Sequence, residues 1–418
     1  MKILFVMPSK EKRFTFQVPM LAKNAFPCGI VPWEQKDAPI APLTFAVLAG
    51  LTPKDVEMEL VDDRVEDIPS TTDADLVAIT ADTFSVKRAY DIAALFRRQG
   101  IPVILGGMHA TFMPDEALGY VDSVVVGEAE SLWDEVIADA KNGCLKRIYR
   151  MKERPSLVGL RPDRSIYSGK HYAPIALVET GRGCWHRCEF CAINQFFSYS
   201  VRHRPIPDVI REIAELRHKK LIFVDDNITC DIPWAKRFFR ELVPLKVRWG
   251  GQASIKVASD GELLYLMRKS GCFTLFIGLE TLSKKTLDLM GKSWATESFQ
   301  YEEAIRTIHQ AGINIEANFV CGYPDDDART LEDILIFAKQ QNFMSVQFFP
   351  LAPLPGTPCY LDLEKNGQLR FGKWWLELKD LLHEGAVYVP QGMDAHQLVK
   401  GCLDIQRSEE HTSELQSH

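Results

Sequence analysis

Three cysteines fall within eight residues of the chain, in the segment Gly181-Arg182-Gly183-Cys184-Trp185-His186-Arg187-Cys188-Glu189-Phe190-Cys191. Three thiolates in so short a loop can hold three irons of a cubane cluster and leave the fourth iron open. The glycines ahead of them let the backbone come close to an inorganic core. Two plainer readings stand beside the cluster: a zinc site, or three thiols that bind nothing. Structural zinc usually takes four protein ligands in spacings of the paired C-x-x-C kind. His186 could supply the fourth, but its place between two cysteines would strain the loop. The C-x-x-x-C-x-x-C spacing behind a strand favours the cluster.

Such a loop needs a scaffold. The run IALVET (175–180) leads into it, and five more strand patterns follow: KLIFVDD (220–226), VRWGGQ (247–252), FTLFIGL (273–279), INIEANFV (313–320) and MSVQFFP (344–350). Amphipathic stretches such as DVIREIAELRH (208–218) and GELLYLMRKS (261–270) separate them. Six strand–helix units over 173–370 predict an incomplete (β/α)6 barrel, whose site lies at the C-terminal ends of its strands. Polar groups cluster at those ends: Asp225, Asp226 and Asn227, then Gln252 and Ser254, then Glu280. Asp225, Asp226 and Glu280 also fit as helix caps, since acidic groups are favourable at helix N-termini. Asp325, Asp326 and Asp327 read mainly as caps for the helix that follows.

Residues 1–145 show a second strand–helix alternation, with strands at 2–8, 56–62, 75–80, 102–107 and 122–127 and helical patterns from Pro42, Ser85 and Glu130. This predicts a doubly wound α/β domain, a parallel sheet with helices on both faces. Ligands of such sheets sit beyond the carboxyl ends of the strands. Here those ends carry Thr80, Gly106, Gly107, His109, Gly127 and Glu128. No G-x-G-x-x-G follows the first strand, which argues against a dinucleotide.

Between and around these blocks, residues 9–41 read as a long insertion, functional or disordered. Residues 146–172 are basic and rich in turn formers, and read as a linker. Residues 371–406 open a helical C-terminal region. The last twelve, RSEEHTSELQSH (407–418), look like a translated sequencing adapter and are set aside, so the natural chain is expected to run longer.

Composition sets the outer bounds. The chain of 418 residues is long enough for two or three domains, and its net charge of −7 offers nothing to nucleic acid or an anionic membrane. No apolar run is long enough to span a bilayer, and MKILFVMPSK reads as a strand rather than a signal peptide. Seven of the ten cysteines are scattered, as in a protein of a reducing compartment, and the cytoplasm is expected.

Across residues 173–370, with the cysteine loop near their start, the sequence resembles the radical S-adenosylmethionine (SAM) superfamily. That resemblance implies a [4Fe–4S] cluster on Cys184, Cys188 and Cys191, with SAM chelating the open iron. It places Phe190 near the adenine, and Asp225, Asp226 or Asn227 at the SAM amine. Gln252 and Ser254 would face the cofactor, and Glu280 would contact the ribose. The segments VILGGMHATFMPDEAL (103–118) and DSVVVGEAE (122–130) resemble the cobalamin-binding domain that precedes many such barrels. No D-x-H-x-x-G follows the first strand, so no histidine is evident as a lower axial ligand, although His109 could lie near the corrin. Together these resemblances imply reductive cleavage of SAM to a 5′-deoxyadenosyl radical, a small-molecule substrate, and an electron donor such as flavodoxin or ferredoxin. C- or P-methylation is the expected outcome. A radical cyclisation, rearrangement or oxidation without methyl transfer, or a non-catalytic cobalamin or cluster carrier, is the alternative.

Overall fold

The β-branched runs of the first half pair as one parallel sheet. The structure, a computed structural model, describes residues 1–9, 39–295, 300–379, 384–388 and 390–416. The insertion read at 9–41 thus lies almost wholly outside the described residues. In chain order the strands are β1 (Lys2–Met7), β2 (Glu57–Asp62), β3 (Leu76–Thr80), β4 (Val103–Gly106), β5 (Ser123–Val126) and β6 (Ile148–Arg150). Their order across the sheet is β2-β1-β3-β4-β5-β6, and every pairing is parallel. The direction of winding therefore reverses at β1, which is where doubly wound sheets open their ligand crevice.

Burial on both faces explains why these strands read as continuous apolar runs. Ile3, Phe5, Ala78, Ile104 and Val125 share a core with Phe45 and Leu48 of the helix Leu43–Leu51 and with Trp133 and Val136 of Trp133–Lys141. The alternate residues Leu4, Val6, Val77, Ile79 and Leu105 point the other way and are buried too. Helix Val86–Arg97 packs on β3 and β4.

The stretch read as a linker is largely built into this unit. Ile148–Arg150 adds the sixth strand, paired with β5, and only its Tyr149 is buried. Tyr149 donates its hydroxyl to Asp139 at 2.8 Å. Farther on, Tyr172 donates to Asp62 at 2.9 Å. A strand of three residues with basic flanks carries no readable alternation, so its pairing was invisible in the sequence. By contacts, the described residues up to Ala173 form one compact unit and those from Pro174 another.

The second unit is a sheet of six parallel strands: β7 (Ala176–Val178), β10 (Lys220–Phe223), β11 (Arg248–Gln252), β12 (Cys272–Glu280), β13 (Asn314–Cys321) and β14 (Ser345–Pro350). They lie side by side in chain order with helices between them, as the incomplete barrel requires. Its core runs from Val178 and Phe223 through Trp249, Leu275 and Phe319 to Phe348. The barrel helices carry the expected caps. Asp231 accepts from the Trp234 backbone N–H, and Asp327 forms a reciprocal capping box with Thr330. Asp326 instead accepts from the Gly322 and Tyr323 backbone. Two strands of two residues, β8 (Gly181–Arg182) and β9 (Arg202–His203), form an antiparallel clasp that the sequence did not announce. A last helix, Ala395–Gln416, packs on β14 and on helix Ala328–Gln341, and its backbone continues through residues 407–416. Among the described residues no helix is long and apolar enough to cross a membrane.

Candidate functional site

The cysteine loop is anchored at both ends and in the middle. The clasp of β8 with β9 brings its two ends together, and Arg204 at the far end donates to the Glu179 carbonyl at 2.9 Å. Gly183 has φ +89° and donates its N–H to Asp226 at 2.7 Å. A Cβ there would fall 1.9 Å from the Ser200 carbonyl oxygen, so only glycine fits. In the middle, Glu189 donates its N–H to the Met290 carbonyl at 3.0 Å. Cys191 then begins the short helix Ala192–Phe196, whose Asn194 side chain donates back to the Cys188 carbonyl at 3.3 Å.

All three cysteines are free thiols. The Cys184 sulfur accepts from the thiol of Cys230, 4.0 Å away. That contact, with help from the His186 backbone N–H and the Asn227 side chain, draws Cys184 down to about 7. Burial pushes Cys188 up to about 12 and raises Cys191 as well. Such thiols ionise most readily when a cation takes up the charge, as cluster irons do. Among the described residues, no three or more His, Cys, Asp or Glu side chains gather as one metal ion would need. A cubane makes no such demand, because each thiolate binds a different iron. His186, the candidate fourth zinc ligand, stacks on Trp294 at 3.5 Å between ring centroids. Burial and the charges of Lys256 and Lys292 hold it down at about 4. The donor set is therefore sulfur alone on one fixed loop, which fits a three-thiolate cluster.

The strand-end candidates divide into two groups. One borders a cavity of about 200 Å³ that includes Asn227, Ser254, Trp185, His186, Cys230 and Lys256. The other is engaged elsewhere. Asp225 is buried and accepts from both the backbone N–H of Thr180, at 2.7 Å, and its hydroxyl, tying the end of β7 to that of β10. Burial pushes it up to about 8, and pushes Asp226 up to about 6. Both carboxylates thus brace the strand and loop that carry the cysteines. Neither caps the helix from Ile232, a task that falls to Asp231. Gln252 exposes its side chain at the end of β11, while its carbonyl accepts from Ile228 at 3.0 Å. Phe190 is half-buried against the barrel core.

Glu280 ends β12 with φ +67°, just past a register shift. Its carboxylate accepts from the Lys292 ammonium at 2.5 Å, and Lys292 also donates to the Gly278 carbonyl at 2.8 Å. The sequence reading missed Lys292, which lies twelve residues beyond Glu280, past the short helix Lys284–Leu289. It missed Cys230 too, counting it among the scattered cysteines. Its position three residues beyond Asn227, in the loop after β10, was the available signal.

In the first unit the glycine candidates behave as close-approach points. Gly107 has φ +97°, and a Cβ would fall 2.6 Å from the Ala81 carbonyl and 2.8 Å from the Thr80 hydroxyl. Gly106 pairs with Thr80 across β3 and β4. Gly127 donates to the Thr111 hydroxyl at 3.0 Å, and Glu128 pairs with Arg154 at 2.9 Å. His109, which the resemblance allows near a corrin, takes up hydrogen bonds within the unit. It is fully buried, with one ring nitrogen 3.1 Å from the Thr83 hydroxyl and the other 3.2 Å from Glu116. His109→Ala is therefore expected to lower stability by about 1–3 kcal/mol, because it leaves buried partners unsatisfied. Urea unfolding of the full chain checks this, and an unchanged midpoint would show the clamp to be idle.

Comparison with known proteins adds to this geometry. Residues 178–338 match the family model of the Radical SAM superfamily, and residues 42–137 match that of the B12 binding domain. Two relatives come from Chlorobaculum tepidum. Bacteriochlorophyllide d C-8(2)-methyltransferase is 28% identical over 82% of this chain and 80% of its own length. Bacteriochlorophyllide d C-12(1)-methyltransferase is also 28% identical, over 88% of this chain and 82% of its own. Among solved structures, the radical S-adenosylmethionine methyltransferase TsrM from Kitasatospora setae, with cobalamin and a [4Fe–4S] cluster bound, aligns with a TM-score of 0.66. It covers 87% of this chain and 78% of that one at 18% identity, a likeness of fold.

Proposed function

We propose, for a chain that belongs to the radical SAM superfamily and carries a B12 binding domain ahead of its barrel, that it is a cobalamin-dependent methyltransferase acting on carbon or phosphorus of a small molecule. The observation that carries this reading is the loop of three free thiols at the C-terminal end of a barrel strand, on a chain that also folds a doubly wound sheet. When bound, the cofactors supply a 5′-deoxyadenosyl radical, from one-electron reductive cleavage of SAM, and a methyl carrier.

The chain's own residues do the positioning. Cys184, Cys188 and Cys191 would hold the cluster. Gly183 and Asp226 fix the path of the loop, and Asp225 fixes the strand beneath it. Asn227, Ser254 and Lys256 offer polar contacts in the cavity beside Cys230 and Trp185. Linking both domains on one chain makes the encounter of their cofactors intramolecular. A small one-electron carrier such as flavodoxin or ferredoxin would reduce the site. The free thiols suit the cytoplasm.

The test uses SAM deuterated on its methyl group, with the reconstituted protein, a reductant and a deproteinised small-molecule extract of the host cell. Label should enter a product, with S-adenosylhomocysteine and 5′-deoxyadenosine accumulating in similar amounts. Formation of 5′-deoxyadenosine alongside substrate conversion, with no label in product, would reject methyl transfer. The radical cyclisation, rearrangement or oxidation reading would then stand.

A further inference from the structure

Cys230 belongs to no ligand motif, yet it faces one. It follows Asn227, Ile228 and Thr229 at the end of β10 and donates its backbone N–H to the Asn227 carbonyl at 3.0 Å. Its thiol is buried, borders the cavity beside Trp185 and His186, and points its donor at the Cys184 sulfur 4.0 Å away. The Trp185 backbone N–H reaches the Cys230 sulfur in return. Two segments 46 residues apart are thus joined sulfur to sulfur, with Asn227 beside both.

Hydrogen bonds to ligand sulfurs are among the levers that set an iron–sulfur potential, and partners behind the first ligands tune and orient them. Reduction places extra negative charge on the cluster and its thiolates. A donor aimed at one thiolate favours that state over the oxidised one. We propose that Cys230 is a positioning residue of the cluster site, whose thiol donates to the Cys184 ligand sulfur and raises the reduction potential. The role is distinct from that of a fourth ligand, because the Cys230 donor is directed at a ligand sulfur. The inference rests on the cluster reading of the three cysteines.

The experiment compares anaerobically reconstituted full-length protein with its Cys230→Ala and Cys230→Ser variants. Iron and sulfide are assayed first, and the midpoint potential is then titrated by electron paramagnetic resonance of the reduced cluster. Wild type and both variants should hold equal iron. Cys230→Ala should shift the one-electron equilibrium several-fold toward the oxidised state, where tenfold corresponds to about 59 mV. Cys230→Ser, which keeps a donor, should recover part of the shift. An unchanged midpoint in Cys230→Ala overturns the proposal. Loss of iron in both variants also overturns it, since Cys230 would then be a ligand. Should Cys230→Ala alone lose iron, the serine variant decides: a midpoint that moves in deuterated buffer supports the proposal, and one that does not overturns it. Wild type without iron–sulfur absorption overturns the cluster reading itself, and shows at the iron assay before any potential is read.

Discussion

Replacing Cys184, Cys188 and Cys191 together by alanine is expected to abolish the iron–sulfur chromophore and reduce 5′-deoxyadenosine formation below detection. The protein should nonetheless stay folded. None of the three side chains is large, and the path of the loop is held by backbone contacts at Gly183 and Glu189 and by the clasp of β8 with β9. The first sheet has its own core, from Ile3 to Tyr149, with no residue of the cysteine loop in it. Loss of the cluster should thus come without loss of secondary structure. Iron and sulfide analysis, visible absorption and circular dichroism of the triple variant test the three parts separately. Wild-type protein that holds stoichiometric zinc and shows no iron–sulfur absorption would sink the reading.

Lys292→Met should be the most destabilising single change at the candidate site, by about 3–5 kcal/mol. The Lys292 and Glu280 side chains are only 10% and 9% exposed, so water cannot take over for the missing cation. The Glu280 carboxylate would be left buried at the end of β12, beside a glycine whose missing side chain makes room for it. Adding a Cβ to Gly278 would bring it 2.1 Å from a Glu280 oxygen. Because the penalty comes from an uncompensated charge, the double variant Lys292→Met with Glu280→Gln should recover much of the loss. Urea unfolding of both variants checks the argument. A single-variant loss below about 1 kcal/mol would put the pair in the class of exposed ion pairs.

The barrel strands were legible from their patterns: β12 is buried along most of its length, which writes an apolar run such as FTLFIGL, and β13 alternates buried with more exposed residues, which writes INIEANFV. The cysteine loop was legible because its ligands are close in sequence. The remaining site features depend on contacts between distant segments. Asp225 stands at a strand end, where a cap and a ligand read alike in the sequence, and its bonds to Thr180 emerge only in the fold. Cys230 acquires its partner across 46 residues. The clasp of β8 with β9 is too short for any alternation to register, and β6 hides among basic residues that read as a linker. His109 looked available because histidine so often binds metals or cofactors. Its clamp requires Thr83 from another element and Glu116 from the next short helix.

The clasp also bears on how the site is assembled. By joining Gly181 to His203 and Arg182 to Arg202, it closes the cysteine-bearing segment into a ring through the polypeptide alone. The entropy of ring closure is then met by the folded polypeptide, and iron uptake need not supply it. A free peptide of the same sequence would have to lose that freedom on binding, so it should capture iron less tightly than the folded chain does. Closure entropy grows slowly with length, by about 0.6 kcal/mol per doubling. A ring a few residues longer would therefore cost little more in closure entropy.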